Sequence, residues 1–155
     1  MGHNMNILPT IKARGRGALG APKSRFDIQE RDWFDDGWDK EEVTQVLRTF
    51  VTEEPAKSVI TYNTFPDLPF DRSMNAYRGC EHGCIYCCAR PSHNYLDQSS
   101  GFDIETKLFA KTGVVDLLRC ELARPKYQVA LIAIGTNTDP YQAIEGRHQT
   151  TQQIL

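Results

Sequence analysis

The chain has 155 residues, 40% of them hydrophobic and 25% charged, with a net charge of −2. That is enough for one small globular core, and so little net charge gives no global argument for a polyanionic partner. The longest apolar run, Val129 to Ile134, is far too short to cross a bilayer, so no membrane partner is expected. Met1-Gly-His-Asn-Met-Asn6 lacks the cationic-then-apolar order of a secretory signal, and Asn6 breaks the myristoylation pattern that Gly2 would open. A reducing, cytoplasmic location is expected. The five cysteines, an odd number mostly bunched in one stretch, argue against a disulfide framework.

Residues 1–56 read as an N-terminal extension, and residues 57–155 as the folded domain. Met1 to Arg25 is rich in Gly, Pro and cations, including Ala13-Arg-Gly-Arg-Gly17, Lys23 and Arg25, and has no apolar periodicity. It is expected to be a mobile arm. Its cations could touch nucleic acid electrostatically, though such runs are more often solvated tails. Trp33, Phe34 and Trp38 sit in an acidic stretch and are expected to dock the extension on the domain. From Asp39 to Glu54, Val43, Val46, Leu47 and Phe50 have helical spacing, and Asp39 with Glu42 could form a capping box. Yet Val46 to Thr52 is rich in β-branched and aromatic residues, favouring a hairpin with Lys57 to Tyr62 across Glu54-Pro55. Phe65-Pro-Asp-Leu-Pro-Phe70, with two prolines, is a loop.

Beyond Asp71 the pattern becomes regular. Ser73 to Tyr77 reads as a strand entering a cysteine loop, in which Gly79 and Gly83 let the backbone bend. Ile85 to Ala89 could begin a helix that Pro91 limits. Phe102 to Ala110 is a second strand. Val114 to Arg124 is an amphipathic helix with Val114, Leu117, Leu118 and Leu122 at core spacing. Gln128 to Ile134 is a third strand, apolar enough to be buried on both faces. A polar loop, Gly135 to Gln142, follows, and Gly146 to Leu155 looks like the opening turns of another helix. The alternation implies an α/β fold with a parallel sheet. That last helix gathers little to bury and a three-stranded open sheet leaves an edge, so a truncated chain is expected. The alternative is a complete miniature domain, or one that closes by oligomerising.

The chemistry concentrates in Tyr77-Arg-Gly-Cys-Glu-His-Gly-Cys-Ile-Tyr-Cys-Cys-Ala-Arg-Pro91, where Cys80, Cys84 and Cys87 have C-x3-C-x2-C spacing. Three thiolates can hold three irons of a cubane 4Fe–4S cluster. The fourth iron then keeps an open position, as catalytic metal sites do and structural ones do not. The competing reading is a non-catalytic zinc module completed by Cys88, His82 or His93. Adjacent Cys87 and Cys88 would strain around one ion, and only one half of a zinc-knuckle pattern is visible.

The spacing, with Tyr86 directly before the third cysteine, resembles the signature of radical S-adenosylmethionine enzymes. Ser73 to His93, Phe102 to Lys111 and Thr138-Asp-Pro-Tyr-Gln-Ala-Ile-Glu145 together extend the likeness to an uncharacterised family similar to spore photoproduct lyase, a DNA-repair enzyme. The resemblance covers roughly Lys57 to Leu155 and extends to the Arg-Gly-rich arm. It implies the first half of a partial (β/α)6 barrel, a 4Fe–4S cluster and S-adenosyl-L-methionine as cofactors, and a flavodoxin- or ferredoxin-type electron donor. In that superfamily S-adenosylmethionine chelates the open iron and is cleaved reductively, giving a radical that abstracts hydrogen from substrate. The substrate does not transfer with the fold. Ala76 stands where Pro is usual and Cys88 where an aromatic is usual; neither departure removes a ligand.

Carried over residue by residue, the resemblance makes Cys80, Cys84 and Cys87 the metal ligands and puts Tyr86 beside the adenine; the alternative for Tyr86 is an ordinary core tyrosine. Barrel sites lie at the C-terminal ends of strands, so Thr136, Asn137, Thr138 and Asp139 are expected to face the cluster and bind the cosubstrate's ribose or amino-acid part. The alternative for them is a Thr-Asp-Pro turn capping the next helix. Arg78 and Arg90 either offset cluster charge or reach the cosubstrate carboxylate, or are surface cations. Lys107, inside an expected buried strand, needs a partner more than Lys111 does. His82 is expected to be exposed or hydrogen-bonding rather than metal-bound, and Cys120 to be a small packed residue.

Overall fold

The computed structural model describes Gly17 and residues 48–155. Trp33, Phe34, Trp38, the rest of the basic arm and the segment from Asp39 to residue 47 lie outside the described residues. The first strand, β1 (Phe50–Pro55), is opened by the β-formers Phe50, Val51 and Thr52. It does not turn back on Lys57 to Tyr62 as a hairpin. Instead it pairs in parallel with a strand some fifty residues on, from Phe50 opposite Lys107 to Pro55 opposite Thr112.

The next three strands are short: β2 (Thr61–Tyr62), β3 (Arg72–Met74) and β4 (Tyr77–Arg78). The proline loop between β2 and β3 reverses the chain, closed by Asn63 N–H donating to Asp71 O at 2.8 Å, so these two pair antiparallel. The single strand expected over Ser73 to Tyr77 is broken at Asn75-Ala76, where the chain passes from one sheet to the other. A 3-10 helix, Arg90–Leu96, follows the cysteine loop, with Pro91 in its first turn. Ile85 to Ala89 before it is turn, not helix.

The strand expected from Phe102 starts late. Asp103–Thr106 forms a helical turn, α1, fixed locally by Thr106 Oγ1 donating to Phe102 O at 2.7 Å and Ser99 N–H donating to Asp103 Oδ2 at 2.9 Å. Only then comes β5 (Lys107–Thr112). Helix α2 (Val114–Leu122) buries Val114 and Leu118, half-buries Leu117, and leaves Leu122 and Cys120 exposed, so Cys120 is not the packed residue expected. The third strand, β6, spans only Ile132–Ile134 and is half-buried. Val129 and Leu131 are 93% and 67% exposed, because β6 has β3 on one side and, among the described residues, no strand on the other. The final segment forms two short helices, α3 (Glu145–His148) and α4 (Thr150–Ile154), broken at Gln149, whose φ is 52°.

The strands make two sheets, ordered β1-β5-β4 and β2-β3-β6. Pairings β1–β5 and β3–β6 are parallel, whereas β2–β3 and β4–β5 are antiparallel. The sheets are therefore mixed rather than wholly parallel, and among the described residues they do not close into a barrel. Each has its own core: Val59, Ile60, Met74, Val114 and Leu118 in one, Ala76, Tyr77, Leu108, Ala110 and Ile144 in the other, with Ile154 packed against both. The Glu121 carboxylate accepts the Val59 and Ile60 N–H groups at 3.0 and 2.9 Å, tying α2 to the entry of β2. Among the described residues no helix is long and apolar enough to cross a membrane.

Candidate metal centre

Strand β4 delivers the chain into the cysteine loop through Gly79. Its φ is +78°, and an added Cβ would lie 2.7 Å from Leu108 Cδ2, so both backbone and space call for glycine. Cys80 N–H then donates to Ile104 O at 2.9 Å. Three turns follow, each beginning at one of the predicted ligands: the carbonyls of Cys80, Cys84 and Cys87 accept from Gly83, Cys87 and Arg90 at 3.4, 3.1 and 3.3 Å. Successive turns of this kind set the three thiols on one curled segment. All are free; Cys80 and Cys87 are half-buried, and Cys84 and the neighbouring Cys88 are exposed.

Arg90 holds this segment from inside. Its guanidinium donates to Cys84 O (Nε, 2.9 Å), Gly83 O (Nη2, 2.7 Å), Ser100 O and Gly101 O (Nη1, 3.1 Å each) and Glu105 Oε1 (Nη2, 2.5 Å). The Glu105 side chain is fully buried and that of Arg90 is 12% exposed. Arg90 is thus neither a surface cation nor a group held ready for a ligand: the planar fork spends its donors on the loop. Arg78, by contrast, is a partly exposed cation 3.4 Å from Glu54.

The loop from Gly135 to Gln142 faces the cysteine loop and grips it. Thr138 Oγ1 donates to Gly79 O at 2.6 Å, and Gln142 Nε2 donates to the same oxygen at 3.3 Å and to Thr138 Oγ1 at 3.0 Å. Glu81 N–H donates to Gln142 Oε1 at 3.1 Å. Asn75 adds a second tie, its Oδ1 accepting from Asn137 N–H and its Nδ2 donating to Thr136 Oγ1. Asp139 Oδ1 accepts from Tyr141 N–H at 2.7 Å, the turn reading of this segment, while Oδ2 lies 3.1 Å from His82 Nε2. Thr138 and Asp139 therefore already have protein partners. Behind the loop, the Tyr77 hydroxyl donates to Glu145; burial first, then that carboxylate, pushes the phenol up to about 12. Burial opposes the Glu145 charge, but bonds from Tyr77 and the N–H groups of Gln152 and Thr151 outweigh it and hold the carboxyl below its ordinary value.

Other predicted residues fall differently. Tyr86 is 87% exposed at the loop tip beside exposed Ile85, so the described residues build no adenine pocket around it. His93 is fully buried, and burial pushes its pKa down; the neutral ring donates through Nε2 to Lys107 O at 3.1 Å. Lys107 is exposed and paired with Asp103 at 3.0 Å. Lys111 is the lysine that burial affects, its pKa lowered chiefly by desolvation and next by Arg78. Glu105, Gln142 and Asn75, which help to fix the loop, lie inside the stretches that carry the resemblance, but no role was expected of them. The one available signal was a carboxylate, Glu105, inside a segment expected to be buried.

Among the described residues no three His, Cys, Asp or Glu side chains are grouped to hold one metal ion. A tetrahedral zinc needs its donors around a single point, whereas each thiolate of a cubane takes its own iron, so the three sulfurs stand apart. The donors this loop offers are three free thiols on consecutive turns.

Proteins from Mycobacterium bovis and from two strains of Mycobacterium tuberculosis, all named only as uncharacterized, are 53% identical to the chain over 88 residues. The match covers 57% of this chain and 26% of each relative, so the chain spans a minor part of the curated relatives it matches. No family model matches, and no solved structure matches significantly.

Proposed function

We propose that this chain carries the cluster-binding part of a radical S-adenosylmethionine enzyme with lyase-like chemistry, acting in the cytoplasm with a flavodoxin- or ferredoxin-type electron donor. The observation that supports this most is the loop itself. Cys80, Cys84 and Cys87 are free thiols on three consecutive turns, cross-braced by Arg90 within and by Thr138 and Gln142 from the facing loop. A 4Fe–4S cluster bound there would supply reductive cleavage of S-adenosylmethionine at its open iron, starting hydrogen abstraction.

What the protein's own residues do is hold geometry. Arg90 fixes the carbonyls on either side of the Gly83–Cys84 peptide, so its positive charge stands behind a segment that would carry three thiolates. Thr138 and Gln142 keep the polar loop against the cysteines, which brings Asn137 and Thr136 near any ligand on that side. Asn75 orients both of them.

The test is anaerobic reconstitution with iron and sulfide, reduction, and EPR with and without S-adenosylmethionine. A reduced 4Fe–4S signal that shifts with the cosubstrate is expected. A cluster signal indifferent to it would leave a cluster protein without cosubstrate binding, and stoichiometric zinc with no cluster would overturn the reading in favour of a structural metal module.

A further inference from the structure

The Arg-Gly run of the N-terminus, Ala13-Arg-Gly-Arg-Gly17, has no role in the site as described so far. Its last residue does touch that site. A Cβ built on Gly17 would stand 1.9 Å from the Gly83 carbonyl oxygen, 3.1 Å from the Gly83 carbonyl carbon and 3.4 Å from Arg90 Nη2. No real Cβ approaches a backbone oxygen that closely, and the obstacle is main chain rather than the end of a flexible side chain. The Gly83 carbonyl is thus enclosed between the backbone at Gly17 and the Arg90 guanidinium, which donates to it at 2.7 Å. Gly83 lies between two predicted ligands and directly precedes Cys84, with a φ of +62° that keeps the turn tight.

We propose that Gly17 is a positioning residue of the cysteine loop: lacking a side chain, its backbone seats against Gly83 and, with Arg90, fixes the turn that presents Cys84. The loop is then clamped from three stretches of chain distant in sequence, at Gly17, at Arg90 and at Thr138 with Gln142. A methyl group at residue 17 must displace either the Gly83 peptide or the backbone at residue 17. Either movement loosens the Arg90–Gly83 bond and the orientation of the adjoining thiol. The consequence for metal binding rests on the cluster reading above; the contact itself does not.

The experiment compares the full chain with Gly17→Ala and with Gly146→Ala, a glycine whose added Cβ meets nothing within 4 Å. Amide hydrogen exchange is measured on the metal-free proteins in two windows, residues 80–90 and residues 107–112. Iron release to a chelator is then measured after anaerobic reconstitution. In Gly17→Ala the first window is expected to exchange faster by roughly tenfold while the second is unchanged. Iron is expected to leave faster by roughly tenfold, the lower end of what losing an outer support costs a metal site. The Gly146→Ala protein should match the parent in both. An unchanged first window, or both windows quickening together, would overturn the proposal. A quickened first window in a protein that takes up no cluster would leave Gly17 as a positioning residue and remove the cluster reading instead.

Discussion

Arg90 and Glu105 form an ion pair withdrawn from the surface, the carboxylate being fully buried. Removing one member of such a pair is costly because it leaves a buried charge uncompensated. Glu105→Gln is expected to lower stability by about 3 kcal/mol, seen as a reduced urea midpoint with an unchanged slope. Arg90→Lys should fare nearly as badly, since an ammonium cannot span the carbonyls of Gly83, Cys84, Ser100 and Gly101 together. His93 gives a pH dependence of defined sign. Burial lowers its pKa in the folded state, so below the unfolded value of about 6.5 the unfolded chain binds more protons. This contribution is whole above that pH and is lost as pH falls beneath it. Urea midpoints at pH 7.5 and 5.5 should show the decline, and His93→Gln should flatten it. At this scale the cysteine spacing was plain in the sequence, because three ligands on one turn-rich segment need no distant partner. The lysines were misjudged because the expected strand began too early: Lys107 lies at its true start and is exposed, while Lys111 stands opposite Glu54 in the interior of the pairing.

Helix α2 was foreseen nearly to its ends, since a single apolar stripe decides it. Strand β1 was not, because its partner β5 is remote in sequence and periodicity carries no information about who pairs with whom. The run from Gln128 to Ile134 misled for a related reason: apolar residues mark a strand only where a neighbour is present to bond it, and β6 keeps three residues of that run. The hydrogen bonds from Val59 and Ile60 to Glu121 are equally invisible in sequence, yet they join α2 to the sheet. Glu121→Ala would leave two buried N–H groups without an acceptor, and a loss of about 3 kcal/mol is expected, taking 1–3 kcal/mol for each unsatisfied group. Glu121→Gln keeps one acceptor and should lose less. Thermal melts of the two variants would order them.

For the molecule as a whole, the sequence was read as an α/β fold with a parallel sheet, whereas the sheets are mixed: β2–β3 and β4–β5 pair antiparallel, which strand composition alone does not encode. If the cysteine loop is the metal centre, Cys84→Ala should abolish cluster iron, whereas Cys88→Ala and Cys120→Ala should retain it; iron and sulfide analysis after reconstitution decides between them. The broken strand β3–β4 lends one residue stretch to both sheets, and the loop it feeds is closed from residues far downstream: 63 positions separate Gly79 from Gln142. At roughly 5–20 residues per second of synthesis, that interval is about 3–13 s. During those seconds the nascent cysteine segment exists without the downstream groups that will close its loop. The three cysteines therefore take their final arrangement only once Gln142 has been made.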